Sequence, residues 1–195
     1  MKLRFLVPAL ALALTTIAAH AQVGIYVLPV VSRISLPQAD NGPFAFLGDG
    51  QTAQVFGGIA FGGYYEFVHL PKADLGVDIR ETIQHGNNAS LDSFMGGLRL
   101  VGKPMTRLKV KPYGQFSVGD GRTTSALNSA HINRMQFAIY GGVDRPLNPH
   151  IDWRLIEVSF GEVSPVSSSA FLYNGPALPN ARVLGFSTGF VFRFK

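Results

Sequence analysis

The chain has no cysteine among its 195 residues, which excludes disulfide bonds and any site that depends on a thiolate nucleophile or ligand. Beyond its N-terminal segment it also lacks an apolar run near the roughly 20 residues that a membrane-spanning helix needs. A long stretch without charge, residues 51–65, is interrupted by paired glycines. The mean hydropathy is nevertheless positive, at +0.20. The apolar side chains must therefore serve some structure other than a spanning helix.

Charge is also limited, and its two signs nearly cancel. The chain carries 17 Lys and Arg against 12 Asp and Glu, a formal net charge of +5. Two of the cations, Lys2 and Arg4, lie in the N-terminal segment, so the remainder has a net charge of +3 (5 − 2). A balance this mild does not favour a nucleic-acid-binding protein.

The N-terminal segment has the three parts of a secretory signal peptide. The two cations precede an apolar region from Phe5 to Ile17, and Ala19-His20-Ala21 forms a small-x-small cleavage site. No cysteine follows that site, so a lipoprotein anchor is excluded. We therefore expect residues 1–21 to be removed and residues 22–195 to form one exported domain.

Apolar residues alternate with small or polar ones through most of the remaining chain, which is the two-residue period of a β-strand. The pattern is clearest near the C-terminus, where large residues such as Leu184, Phe186 and Phe190 occupy one face and small residues the other. The predicted strands are residues 23–32, 52–68, 75–84, 93–101, 108–118, 134–144, 151–160 and 182–195. The predicted connections are residues 34–51, 70–74, 85–88, 102–106, 119–133, 145–150 and 163–181.

These connections are alternately long and short, except that the second loop, residues 85–88, is about as short as the turns. Such alternation is the plan of an outer-membrane barrel with long extracellular loops and short periplasmic turns. A closed barrel also satisfies every backbone group in lipid. The sequence therefore predicts an all-β fold, an eight-stranded antiparallel up-and-down transmembrane β-barrel. A soluble exported barrel of the lipocalin type, which would bury the apolar face in its core, is the alternative fold.

Two further patterns fit the membrane interpretation. If both termini are periplasmic, five aromatic residues meet at the periplasmic rim and face outward, where an aromatic girdle belongs. They are Tyr65, Phe67, Trp153, Phe192 and Phe194. Charged residues fall on the opposite, lumen-facing positions of the strands: Glu66, Asp78, Arg80, Arg99, Lys109, Lys111, Asp144, Asp152, Arg154 and Arg193.

Six of these charges are positive and four are negative. Because an eight-stranded barrel is just wide enough for side chains to fill it, we expect them to form ion pairs that close the lumen. Glu157 does not fit, since strict alternation puts it on the lipid face beside Trp153 and Leu155. A β-bulge near Ile156 would reverse the parity and return Glu157 to the lumen.

Several segments resemble one protein family. Pro112-Tyr113-Gly114-Gln115, Gly141-Gly142-Val143-Asp144, Trp153-Arg154-Leu155 and the closing Gly189–Phe194 are similar to segments of the OmpA-type superfamily of small outer-membrane β-barrels, the "porin family". The resemblance implies a place in the outer membrane of a Gram-negative bacterium. It also implies that Phe194, although Lys195 follows it, is recognised by the outer-membrane assembly machinery. The peptidoglycan-binding domain of larger OmpA proteins has no counterpart here and is not expected.

The remaining polar residues do not predict a catalytic or metal site. The histidines after the signal peptide, His69, His85, His131 and His150, are scattered without ligand spacing. Barrel enzymes that modify lipid A need a histidine beside a serine and an acid. We therefore expect no catalytic residue, no cofactor and no metal. We also expect a monomer whose partners are outer-membrane lipid and the outer-membrane assembly machinery, and we expect no binding of nucleic acid.

The expected function is that of a non-enzymatic outer-membrane barrel whose lumen is filled by charged side chains. Its role would be structural, or would lie in surface interaction through the loops 34–51, 119–133 and 163–181. A passive porin for small solutes is the first alternative and requires a continuous lumen. A barrel enzyme that modifies lipid A is the second.

Overall fold

The computed structural model of the protein describes residues 22–42, 44–105, 108–127, 131–164 and 179–194, so the predicted signal peptide at 1–21 lies outside the described residues. Eight strands close into one barrel, each antiparallel to its neighbours, with β8 paired to β1. The strands are β1 (Gln22–Ser35), β2 (Ala53–His69), β3 (Ala73–His85), β4 (Ser90–Gly102), β5 (Lys111–Thr124), β6 (His131–Pro146), β7 (Ile151–Val163) and β8 (Ala181–Phe194). The predicted eight-stranded, antiparallel, up-and-down architecture is confirmed. Within the described residues, no helix is long and apolar enough to cross a membrane.

The barrel has two distinct ends. The terminal end holds Gln22 and Phe194, and its turns are residues 70–72, 103–110 and 147–150. The loop end holds the connections 36–52, 86–89, 125–130 and 164–180. Most of the last connection, residues 165–178 of the predicted loop 163–181, lies outside the described part of the chain.

The connection between β5 and β6 is shorter than the sequence predicts. Both strands extend into the predicted loop 119–133 and leave only residues 125–130 between them. Gly121 lies within β5, where a methyl group would stand 2.7 Å from Oε1 of Gln136. This glycine therefore makes room for a neighbouring side chain and does not turn the chain.

Strand β5 also begins later than predicted, and this moves one charge out of the lumen. Lys109 is exposed and lies in the turn before β5, where its backbone N–H donates to the carbonyl of Met105 at 2.8 Å. Its φ of 51° belongs to the left-handed region, which suits a turn and not a strand. The prediction that Lys109 belongs to the lumen charge network is wrong for this reason.

The bulge that the sequence required for Glu157 is present. The register of β7 shifts against both neighbouring strands between Arg154 and Glu157, and one extra residue is accommodated. As a result Arg154 and Glu157 both point into the lumen, with 0% and 2% of their surface exposed. A similar shift in β2 lies between Glu66 and Val68 and leaves Phe67 half-buried.

The two faces of the barrel wall differ sharply. Every strand exposes large apolar residues on its outer face, and in β8 these are Leu184, Phe186, Phe190, Phe192 and Phe194. The inner face buries many polar and charged groups, including four arginines. This is the reverse of a water-soluble barrel, which encloses its apolar side chains.

The connection 36–52 folds back over the loop end instead of extending into solvent as a turn-rich loop. Leu36, Phe46 and Leu47 are buried against wall residues that include Ile34 and Phe56. The rings of Phe46 and Phe56 have centroids 6.1 Å apart. We call this cluster the apolar cap, because it covers the lumen at the loop end.

Candidate functional site: the filled lumen

Seven side chains form a continuous column along the lumen in which tyrosine rings and arginine guanidinium groups alternate. In order they are Tyr64, Arg99, Tyr113, Arg154, Tyr26, Arg80 and Tyr140. Each guanidinium carbon lies 3.9–5.1 Å from the centroids of two rings. A cation this close to a ring face is attracted by the ring quadrupole, and more strongly where water is excluded. We call this set the tyrosine–arginine column.

Glu157 is the main counterion of the column. Both terminal nitrogens of Arg80 donate to it at 2.7 Å, a bidentate pair, and Nη1 of Arg154 donates at 3.1 Å. The hydroxyl groups of Tyr113 and Ser187 also donate to this carboxylate. A buried charge needs such partners to offset the loss of its hydration.

Two aspartates complete the pairing of the column. Asp144 bridges two arginines, because it accepts from Nε of Arg154 at 2.8 Å and from Nη2 of Arg99 at 2.9 Å. Asp78 accepts from the hydroxyl of Tyr26 at 2.9 Å. The three arginines, two of the tyrosines and the three carboxylates therefore form one hydrogen-bonded network in the lumen.

A second group of charges lies below the column, at the terminal end. Asp152 pairs with Nζ of Lys111 at 2.6 Å and with Nη2 of Arg193 at 2.7 Å. Glu66 is also buried here, and none of the ion pairs among the described residues includes it. These four side chains line a cavity of about 240 Å³.

The lumen thus contains nine of the ten charges that the sequence placed there, together with Glu157. The predicted set had six positive and four negative charges. Without Lys109 and with Glu157 the lumen holds five of each, so the network is formally neutral. The four tyrosines of the column were not predicted from the sequence as functional residues.

Three of these tyrosines each face a glycine on the neighbouring strand, which can be recognised once the strand pairing is known. Tyr64 lies directly opposite Gly24, Tyr26 opposite Gly62, and Tyr113 opposite Gly142. A methyl group at any of these glycines would meet the ring of the tyrosine across from it. The glycines therefore allow the rings to lie against the barrel wall and stack with the arginines.

Above the column the lumen narrows to a small polar void. Ser32 donates to Gln84 at 2.8 Å and Ser93 donates to Gln136 at 2.6 Å. The void among these side chains has a volume of about 30 Å³, which is room for one or two water molecules. The apolar cap lies beyond it, so column and cap are two separate barriers to passage.

The five predicted girdle residues lie toward the terminal end of their strands. Trp153, Phe192 and Phe194 are 40%, 41% and 53% exposed on the outer face. Tyr65 and Phe67 are half-buried, and their rings stack with centroids 6.1 Å apart.

The histidines stand apart from the lumen network. At the loop end, Nδ1 of His131 lies 2.8 Å from Oγ1 of Thr124, which accepts from Ser90 at 2.9 Å. At the terminal end, His69 lies 2.7 Å from Asp74. In the described part of the chain, no three His, Asp or Glu side chains are arranged to hold a metal ion.

Comparisons with known proteins find similarity of fold. Neisserial surface protein A has a TM-score of 0.59 at 12% identity, over 88% of this chain and 97% of its own. Ail, the attachment invasion locus protein of Yersinia pestis, has a TM-score of 0.51 at 15% identity, over 89% of this chain and 99% of its own. A second Ail structure, in complex with the heparin analogue sucrose octasulfate, has a TM-score of 0.50 at 16% identity, over 89% and 99%. The sequence matches no protein-family model and no curated protein.

Proposed function

We propose that this protein is a monomeric outer-membrane β-barrel with a closed lumen, a non-enzymatic scaffold that acts in envelope structure or in surface interaction through its loop end. One observation carries the proposal. A closed barrel that exposes apolar side chains on every strand and buries five positive and five negative charges inside is stable only where its outer face meets lipid.

The height of the apolar outer face agrees with this placement. In β8 it runs from Leu184 to Phe194, ten residue steps, which at about 3.3 Å per residue and a tilt of about 40° gives roughly 25 Å. That equals the apolar band of outer-membrane barrels, about 25 Å tall. Charged residues, such as Arg182 and Arg33, follow on the outer face toward the loop end.

The likeness in fold to two bacterial surface proteins supports the same location. The finer assignment, an OmpA-type barrel of a Gram-negative bacterium, rests on the sequence motifs. So does export by a signal peptide at residues 1–21, with outer-membrane assembly guided by the strand that ends at Phe194. A soluble barrel of the lipocalin type fits less well, because its interior would be an apolar ligand cavity and this one is filled with ion pairs.

A closed lumen predicts that the protein does not conduct. We expect no stable single-channel steps when the refolded barrel is inserted into a planar bilayer, since the column and the cap each block the lumen. The double variant Phe46→Ser, Leu47→Ser, which disrupts only the cap, should remain silent because the column stays in place. A general porin measured in the same bilayer confirms that insertion is detected. Stable steps from the wild-type barrel would favour the small-solute porin instead.

A non-enzymatic role predicts that lipid A is left unchanged. His131 contacts a threonine, and among the described residues no ion pair joins it to a carboxylate that would orient it as a general base. Lipid A incubated with the folded barrel should keep its mass spectrum, as it does with a His131→Ala variant. A gain or loss of one acyl chain that disappears in the variant would support the enzyme alternative.

A further inference from the structure

The cavity at the terminal end contains a carboxylate that the lumen network leaves without a cation. Glu66 is 4% exposed and lines this cavity, and no ion pair among the described residues includes it. Neither of its carboxylate oxygens is among the fully enclosed atoms without a partner, so they border the cavity itself. A buried carboxylate that gives up its hydration needs a cation or several donors in return.

The cations that line the same cavity are already bound to other carboxylates. The pairs are Lys111 and Arg193 with Asp152, Arg99 with Asp144, and Lys103 with Asp74. The balance of five positive and five negative charges in the lumen gives Glu66 no partner, because Asp144 and Asp152 each bind two cations. Pairing Glu66 therefore takes one further cation at this end of the barrel.

The register of the first two strands places one backbone nitrogen beside Glu66. Gln22, the first residue of β1, lies directly opposite Glu66 in β2 and lines the same cavity. Opposite Cα atoms of antiparallel strands are about 4.5–5.5 Å apart, and a backbone nitrogen lies about 1.5 Å from its own Cα. A glutamate side chain spans such a distance. Cleavage after Ala21 would make this nitrogen the α-amino group of the processed chain, and an α-amino group is mainly protonated at about pH 7.

We propose that removal of the signal peptide supplies the missing cation, so that the α-ammonium group of Gln22 pairs with Glu66 and completes the charge pairing at the terminal end. The inference rests on the proposed cleavage after Ala21. Before cleavage the same nitrogen belongs to a neutral peptide bond and cannot serve as a cation. The barrel of the processed chain is therefore more stable than the barrel of its precursor, and processing is coupled to the stability of the lumen.

The test removes the charge at either end of the proposed pair. Glutaminyl cyclase, acting on the unfolded processed chain, joins the α-nitrogen to Cδ of Gln22 and releases the side-chain nitrogen as ammonia, which leaves a neutral pyroglutamyl end without added bulk. After refolding in micelles, urea unfolding compares the cyclised and free chains. With Glu66 present, cyclisation should lower the folding equilibrium constant about tenfold, within the range of coupling between contacting residues. In Glu66→Gln it should change that constant less than about twofold, because the cycle cancels the loss of the side-chain amide.

Two variants control for other sources of the effect. Glu162→Gln removes a carboxylate near the loop end of β7, and cyclisation of Gln22 should cost as much there as in the wild type. Lys195 follows Phe194 in the sequence and is the rival cation, so the cycle is repeated in Lys195→Gln, where the coupling between Gln22 and Glu66 should persist. Equal costs of cyclisation with Glu66 and with Gln at position 66, or loss of the coupling in Lys195→Gln, overturns the pair.

The N-terminus of the protein isolated from bacterial membranes separates this inference from the proposed function. Mass spectrometry should find a chain that begins at Gln22 with a free amine. A chain that begins at another residue, or with pyroglutamate, overturns the pair and leaves the closed membrane barrel intact. Single-channel conductance by the refolded barrel would instead refute the closed lumen, and the result of the cycle at Gln22 and Glu66 would still stand.

Discussion

Glu157→Gln is expected to lower the free energy of unfolding by about 3–5 kcal/mol, the cost of breaking a buried ion pair by removing one partner. The substitution keeps the size of the side chain, so no cavity forms. It removes the negative charge that pairs with Arg80 and Arg154, which are 2% and 0% exposed. Arg154 retains Asp144, but among the described residues Arg80 has no second carboxylate at ion-pair distance.

Urea unfolding of the barrel in detergent micelles measures this change through the shift in midpoint at constant slope. Glu162→Gln is the matched control, since Glu162 lies on the same strand, is half-buried, and contacts Asn180 rather than an arginine. The control should stay within about 0.5 kcal/mol of the wild type. If both variants unfold at the same midpoint, the lumen network does not stabilise the barrel.

A double-mutant cycle separates the ion pair from the rest of the site. Arg80→Met alone leaves Glu157 with one arginine, and the double variant removes both members of the bidentate pair. Since removing both partners of a buried pair costs less than stranding one of them, the double variant should be more stable than the sum of the single changes predicts. The coupling energy should be about 1–3 kcal/mol.

The sequence was sufficient for the architecture because the outer face is so regular. In β8 every second side chain is exposed and every other one buried, from Ala181 to Phe194. A period of two sustained over a strand determines which side chains share a face, whatever lies beyond that face. The eight strands and their order followed from this pattern together with the turn residues.

Simple alternation fails where the backbone departs from an ideal strand, and both exceptions among the lumen charges arise there. Lys109 keeps the parity of a lumen residue but lies in a turn with a positive φ. Glu157 has the parity of the lipid face but follows a bulge. The face on which a residue lies is predicted by counting residues along its own strand. Turns and bulges change that count, and they depend on how the strand pairs with its neighbours. Parity alone therefore predicts six positive and four negative lumen charges, whereas the structure has five of each.

The tyrosine–arginine column depends on pairing that one sequence does not reveal. Tyr113 and Gly142 are 29 positions apart (142 − 113) and meet because β5 and β6 pair in one register. A shift by one residue would put the ring opposite Gly141, whose side-chain direction is outward. The apolar cap was not predicted for a similar reason. Phe46 is buried, but it lies in a connection whose glycines and prolines are typical of an exposed loop.

The adjacent glycines of β6 give the sharpest test of the column. Gly142→Val is expected to lower the free energy of unfolding by about 3 kcal/mol or to prevent folding, because overpacking a fixed site is costly. Its Cβ would stand 2.6 Å from Cζ and Oη of Tyr113. That ring is held in place, since the guanidinium carbons of Arg99 and Arg154 lie 3.9 and 4.4 Å from its centroid and its hydroxyl donates to Glu157.

Gly141→Val is the control for this change, as it makes the same substitution one position earlier. A Cβ at Gly141 has nothing within 4 Å and points outward. Valine also favours strands over glycine, so this variant should equal the wild type or exceed it by up to about 1 kcal/mol. Urea midpoints in micelles compare the two, and the migration of unheated samples in SDS gels reports whether each barrel folds.

A rescue variant keeps the test decisive even if Gly142→Val fails to fold. Tyr113→Leu removes the two ring carbons and the hydroxyl oxygen that a side chain at position 142 would meet. In the Gly142→Val background it should therefore restore folding. In the wild-type background it should destabilise the barrel, because Arg99 and Arg154 each lose one of their two rings and Glu157 loses a hydroxyl donor. Opposite effects of Tyr113→Leu on stability in the two backgrounds require residues 113 and 142 to be in direct contact across β5 and β6. Equal effects of Tyr113→Leu in both backgrounds would mean that Gly142 is needed for backbone geometry and not for the column.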